Sequence, residues 1–168
     1  MLSSHSEVID QSIVLLQSLN DYEYQDVCLP LFSASIGQHM RHIVDHFSSL
    51  MRGMDSQHVD YNYRSRQSDT ETSLLIAISQ LQQIKAWVLC LTEAQLDKPL
   101  NVISDINVQS SHPGTVQSSI ARELVFCVSH AIHHYALVKI IRQLQGAQVD
   151  VNFGVAPATI AYQQSLQN

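Results

Sequence analysis

Positive charge is scarce in this chain: nine Lys and Arg stand against fifteen Asp and Glu in 168 residues, for a formal net charge of −6. No basic run is present that could neutralise a phosphate backbone, so no nucleic acid partner is expected. Cysteine is sparse as well. Cys28, Cys90 and Cys127 are odd in number and far apart, which argues against a disulfide framework or a paired-cysteine zinc or redox motif and predicts reduced, mostly core thiols. Long apolar runs are also missing. The chain is 45% hydrophobic with mean hydropathy near zero, and no stretch approaches the roughly 18 uninterrupted apolar residues of a membrane span. The opening residues MLSSHSEVIDQS carry none of the features of a secretory signal. The expectation is a soluble, cytoplasmic protein with no membrane partner, folded as a single domain over residues 1–168.

Histidine, by contrast, is abundant. Of nine copies, six fall into two short windows, His39/His42/His46 and His130/His133/His134.

Hydrophobic periodicity places these windows on helices. Ser4-x-x-Glu7 is a capping-box pattern ahead of Val8, Ile9, Ile13, Leu16 and Leu19, predicting a helix from about Ser4 to Asn20. Residues 21–33, with Cys28, Leu29 and Pro30, read as a connecting loop. A second helix is predicted from Ser33 or Ser35 to about Met51, carrying the first histidine window. Residues 52–69 read as a long ordered loop holding Tyr61, Tyr63 and Arg64, candidates to line an approach to a site. A second capping box, Ser68-x-x-Glu71, introduces the strongly amphipathic run Leu74 to Leu91. Between Pro99 and Gln117 the pattern alternates and ends in the turn signal His112-Pro113-Gly114, which suits a short β-hairpin. The last long helix starts at Ser118 or Ser119 and stops at Gly146; its apolar positions cover most of the circumference, predicting a central place. A short terminal helix follows from about Ala158 to Gln167. The fold class expected is all-α: an up-down four-helix bundle with a short hairpin between its third and fourth long helices, an architecture that builds metal sites inside from facing helices.

At about 100° per residue, His130 and His134 project side by side one turn apart, whereas His133 points about 100° away from His134. His39, His42 and His46 lie within about 60° of one another, so spacing alone leaves open which of them turns inward. One of these joined to His130 and His134 makes a three-histidine metal site with an open position. Neutral imidazole suits zinc, nickel, copper and ferrous iron alike. The plainer reading, in which the histidines are core or surface residues, accounts for one such pair more readily than for two clusters in one small domain. The residue after His130 is Ala131, where an HExxH protease has its glutamate, so that kind of peptide hydrolysis is not expected. Candidates to move protons near a metal are Asp45, His46, His133, Tyr135 and Glu123. Glu123 lies about 20° off the His130 face two turns earlier; it would either orient a ligand or pair with a cation such as Arg41. Cys127, one turn before His130, is either an extra soft ligand or, as expected, a small core residue.

The segments Ser35-Ile-Gly-Gln-His-Met-Arg-His-Ile-Val-Asp-His46 and Arg122-Glu-Leu-Val-Phe-Cys-Val-Ser-His-Ala-Ile-His-His-Tyr-Ala136 resemble the two metal-bearing helices of the DinB-like superfamily in composition, order and separation. The resemblance implies a four-helix bundle, often a homodimer, with a divalent metal ion held by one histidine of the second helix and the first and last of the later cluster. Carried over by position, these are His42, His130 and His134, leaving His39 and His46 as supporting or surface residues. The related iron-binding domain of ergothioneine-forming sulfoxide synthases is similar in layout. Relatives of this fold include thiol S-transferases and a mycothiol-dependent isomerase, so the fold implies no single reaction. The expectation is a metal-dependent enzyme on a small molecule, by thiol S-transfer or hydrolysis. The alternative is a non-catalytic metal-binding or stress-related interaction protein.

Overall fold

The computed structural model describes residues 1–63 and 65–166, a mostly helical molecule with one small sheet. Four long helices organise it: α1 (Leu2–Gln17), α3 (Ile36–Ser56), α4 (Leu74–Cys90) and α6 (Ile120–Leu144). Helix α1 packs on α4 and α6, and α3 packs on the same two. The apolar faces predicted from periodicity meet at the centre, where Ile9, Leu16, Met40, Leu50, Leu81, Ile84, Leu124 and Val138 are all buried.

Local chemistry explains where the element bounds depart from expectation. Helix α1 starts at Leu2, not Ser4; Met1 occupies the N-cap without a side-chain bond, and Ser4 lies inside the first turn. The expected loop 21–33 contains a short helix, α2 (Asp21–Gln25), closed by a reciprocal Asn20–Glu23 capping box. Its Tyr24 is buried and donates its hydroxyl to the Thr70 carbonyl at 2.6 Å. Ser35 caps α3 in a box with Gln38, and the helix runs past Met51 to Ser56, ending where Gln57 turns left-handed at φ 55°.

The long segment after Met51 is therefore less irregular than predicted. It contributes the end of α3, then strand β1 (His58–Asp60), then a single 3₁₀ turn at Asp69–Glu71. β1 pairs in parallel with β2 (Pro99–Asp105), and β2 pairs antiparallel with β3 (Pro113–Ser119), the hairpin expected from alternation. At Gly53 a Cβ would stand 2.5 Å from the His58 carbonyl oxygen, so glycine lets α3 approach β1. The Ser68-x-x-Glu71 box does not start α4. Ser73 is the N-cap, and Glu71 is turned to Arg41 instead.

After α4, Thr92 caps the short α5 (Glu93–Leu96), and the last element described is α7 (Pro157–Ser165), which buries none of its residues. Gln167 and Arg64 lie outside the described residues. By length and composition α6 could cross a membrane, but here its inward positions pack on α1 and α3. Its predicted central place holds for only part of its surface, because Val125, Ile140 and Leu144 face outward and are each 45% exposed. Each helix of such an assembly keeps one side toward solvent. Of the three thiols, only Cys127 is core; Cys28 is half-buried and Cys90 exposed at the end of α4.

Candidate metal centre

The α3–α6 contact gathers the two histidine windows. His42 and His46 lie one turn apart on α3, and His130 and His134 one turn apart on α6. The Nε2 of His130 stands 3.0 Å from His42 Nε2 and 3.2 Å from His134 Nε2. The ring centroids of His42 and His134 are 4.7 Å apart, so the three imidazoles surround one point. His42, His46 and His130 also form a group whose ligand nitrogens lie within 4.8 Å of one another. His42 and His130 are thus common to two triplets that differ in their third member.

A neutral imidazole nitrogen offers either one N–H or one lone pair. Three such nitrogens turned on each other cannot all be satisfied mutually, whereas a cation accepts every lone pair. The spacing fits that use, since two nitrogens at about 2.0–2.1 Å from a tetrahedral zinc lie roughly 3.3–3.4 Å apart. His42, His130 and His134 are only half-buried, so solvent reaches their edges.

The surroundings hold the rings in orientation and favour the neutral form of His39 and His134. His39, which is buried, places Nδ1 2.9 Å from Nδ1 of His134. If the His134 N–H is the donor there, its Nε2 lone pair is left for the cluster, the usual role of an outer partner to a metal-binding imidazole. Among the described residues, the buried His39 Nε2 has no hydrogen-bond partner. The Nδ1 of His46 lies 2.9 Å from the His42 carbonyl oxygen and can donate to it. Burial, reinforced by His130, His39, His133 and His46, pulls the His134 pKa down to about 3. Burial, with a smaller contribution from His133, also lowers that of His39. Aromatic rings close the side of the cluster: Tyr61 stacks on His46 at 5.2 Å and Phe126 on His130 at 5.7 Å. Phe126 was not among the residues singled out from the sequence, although it stands four residues before His130, a spacing that sets the two side by side on one helix face.

The other candidates are placed differently. His133 is exposed, 6.4 Å from His130 by ring centroid. Tyr135 is fully buried and stacked on Phe153 at 4.9 Å, which makes it a core residue. Asp45 is buried and accepts from Arg41 Nη1 at 3.2 Å and from the Ser65 amide at 3.2 Å, so it anchors the loop before α4. The Glu123–Arg41 pair considered from sequence does not form. Arg41 bonds Asp45 and Glu71, and Glu123 accepts from Ser118 and from Arg122 Nη1 at 3.0 Å. Arg41 was spoken for by nearer acids, a competition that helical angle alone cannot rank. Cys127 is buried with its sulfur 3.6 Å from the Tyr61 hydroxyl, and burial pushes its thiol up to about 12, the behaviour of a core residue. Tyr63 lies under the Arg52 guanidinium at 4.8 Å.

A mostly helical fold with paired histidines on two facing helices defines a class, and comparison with known proteins gives its name. The sequence pattern of the DinB superfamily matches residues 5–138, and the chain belongs to that superfamily. The crystal structure of the DinB-like protein YjoA from Bacillus subtilis superposes with a TM-score of 0.63 over 90% of this chain and 96% of that one. At 17% identity that likeness shows the fold alone. A protein of Rhizopus delemar named FK506-binding protein 5 is 35% identical over 104 residues, which is 62% of this chain and 27% of that protein's length.

Proposed function

We propose that this DinB-superfamily chain, an up-down four-helix bundle that pairs as a homodimer in the cytoplasm, holds one divalent metal ion on His42, His130 and His134 and uses it on a small molecule. The observation that carries the reading is the placement of His130 Nε2 within 3.2 Å of both partner nitrogens, on imidazoles that remain partly open to solvent. When bound, zinc, nickel or iron would supply Lewis acidity that turns a water or thiol into a nucleophile. Three protein ligands leave a position for it. The chain's own contribution is to keep His134 neutral, to orient it through His39, and to wall one side with Tyr61 and Phe126. Transfer of a low-molecular-weight thiol and hydrolysis are both reactions that this arrangement suits.

The test begins with metal analysis of wild type beside His42→Ala, His130→Ala, His134→Ala and His46→Ala. About one ion per chain in wild type and almost none in the first three is the expected result. Loss in His46→Ala with retention in His134→Ala would make His46 the third ligand. Cobalt substitution then reads the open position: a sulfur-to-cobalt absorption band on adding a thiol supports catalysis. Its absence in a metal-loaded protein leaves the non-catalytic, metal-binding reading.

A further inference from the structure

The face of α3 that carries the histidines continues beyond them. At about 100° per residue, Ser49 and Gly53 lie within about 60° of His42 and His46, and Ser49 is less than one turn past His46. Here a solvent-open cavity of about 270 Å³ lies between the end of α3 and the two ends of β1, with Ser49, Arg52, His58, Asp60 and Tyr63 in its wall. That size is just below the range of drug-sized ligand sites and suits a smaller molecule.

Its chemistry is of two signs. The Arg52 guanidinium lies over the Tyr63 ring at 4.8 Å and donates one N–H to the buried Ser49 hydroxyl at 3.3 Å. Among the described residues it has no carboxylate partner, although Arg41, Arg122 and Arg142 all do. A stacked guanidinium with donors to spare is a fork for a carboxylate. On the same wall Asp60 takes one backbone amide, from Asn62 at 2.8 Å, and keeps acceptor capacity. His58 Nδ1 is engaged with the Ser56 carbonyl at 2.8 Å. Arg52 and Asp60 share the cavity without forming an ion pair with each other.

We propose that this cavity binds an α-amino-acid headgroup, with the carboxylate on Arg52 and Ser49 and the ammonium on Asp60. It therefore selects small molecules of the amino-acid class, such as a cysteine-type thiol, for the metal centre on the same helix face. The link to the metal rests on the function proposed above; the binding of the headgroup does not.

The test is a chemical-shift titration of the isotope-labelled, metal-free chain with S-methyl-L-cysteine, whose blocked sulfur takes no part in metal binding. Its two halves, methylthiopropionate and S-methylcysteamine, serve as controls. Saturable shifts of the Ser49, Gly53 and Asp60 amides are expected, at about tenfold lower concentration than for either half, as loss of one charged hydrogen-bonded group implies. Arg52→Gln is expected to weaken S-methyl-L-cysteine and methylthiopropionate about tenfold and leave S-methylcysteamine unchanged, and Asp60→Asn to do the reverse for the two halves. No saturable shift at these amides in wild type, or equal affinities in wild type and both variants, would overturn the proposal. Metal content of Arg52→Gln equal to wild type separates the two readings. A chain that titrates but holds no metal keeps the headgroup site and loses the centre, and the opposite pattern loses the headgroup site alone.

Discussion

The two long contacts of the assembly are built from different materials. Helices α1 and α4, which pack on each other, carry Ile9, Ile13, Leu16, Ala77, Leu81 and Ile84, all buried and apolar, and are joined by the ion pair of Lys85 with Asp10 at 2.6 Å at the partly exposed rim. Between α3 and α6 the core is interrupted by five imidazoles, His39, His42, His46, His130 and His134, and flanked by the Arg41–Asp45–Glu71 network. Both contacts bury apolar side chains and gain free energy as these leave water, Met40, Phe47, Leu124 and Val128 among them in the second. The second in addition buries polar nitrogens, which cost free energy unless they find partners.

Perturbing each contact in turn sharpens that division. The largest effect is expected for Leu81→Ala, which empties a fully buried position of the apolar contact. The substitution should cost about 2–5 kcal/mol in denaturant unfolding and leave metal content per folded chain unchanged. Metal loss in the folded variant would show that the two contacts are not separable.

Acid is expected to act on the other contact. His134 is held neutral down to about 3, whereas an unfolded imidazole takes up its proton near about 6.5. Between those values the unfolded chain binds more protons than the folded one, so this residue erodes stability as pH falls from about 6.5 toward about 3 and contributes nothing above. Urea midpoints of the metal-free protein should decline over that window and decline less steeply in His134→Asn. Parallel curves would remove His134 as the cause.

The smallest effect is expected for His39→Ala, which removes the outer partner of His134 and no proposed ligand. Metal affinity should fall about 10–100-fold, as for other outer-shell partners, with thermal stability of the metal-free chain little changed. Unaltered affinity would reduce His39 to packing.

Much of this architecture was legible beforehand, and the exceptions have specific causes. The four long helices follow from periodicity, and the hairpin from alternation, because both patterns are local. β1 escaped notice because three residues become a strand only through the parallel partner that β2 provides about forty residues later. Glu71 looked like a capping residue until Arg41, thirty residues away, was seen to hold it at 2.9 Å. Helical spacing set His130 beside His134 and turned His133 away, yet it left the three α3 histidines equivalent. In the folded chain His42 and His46 reach the cluster and His39 supports it from behind.

The amino-acid sequence by itself determined that this chain would fold as helices with an apolar side and would carry two windows of imidazole, since propensity, periodicity and side-chain direction act within a few turns. Only the tertiary structure decided which nitrogens face one another, which acid each arginine takes, and that α3 carries a polar cavity beyond its histidines. Those outcomes depend on how α3 is rotated and set against α6 and β1, and that placement is a property of the whole packed core, not of any one segment.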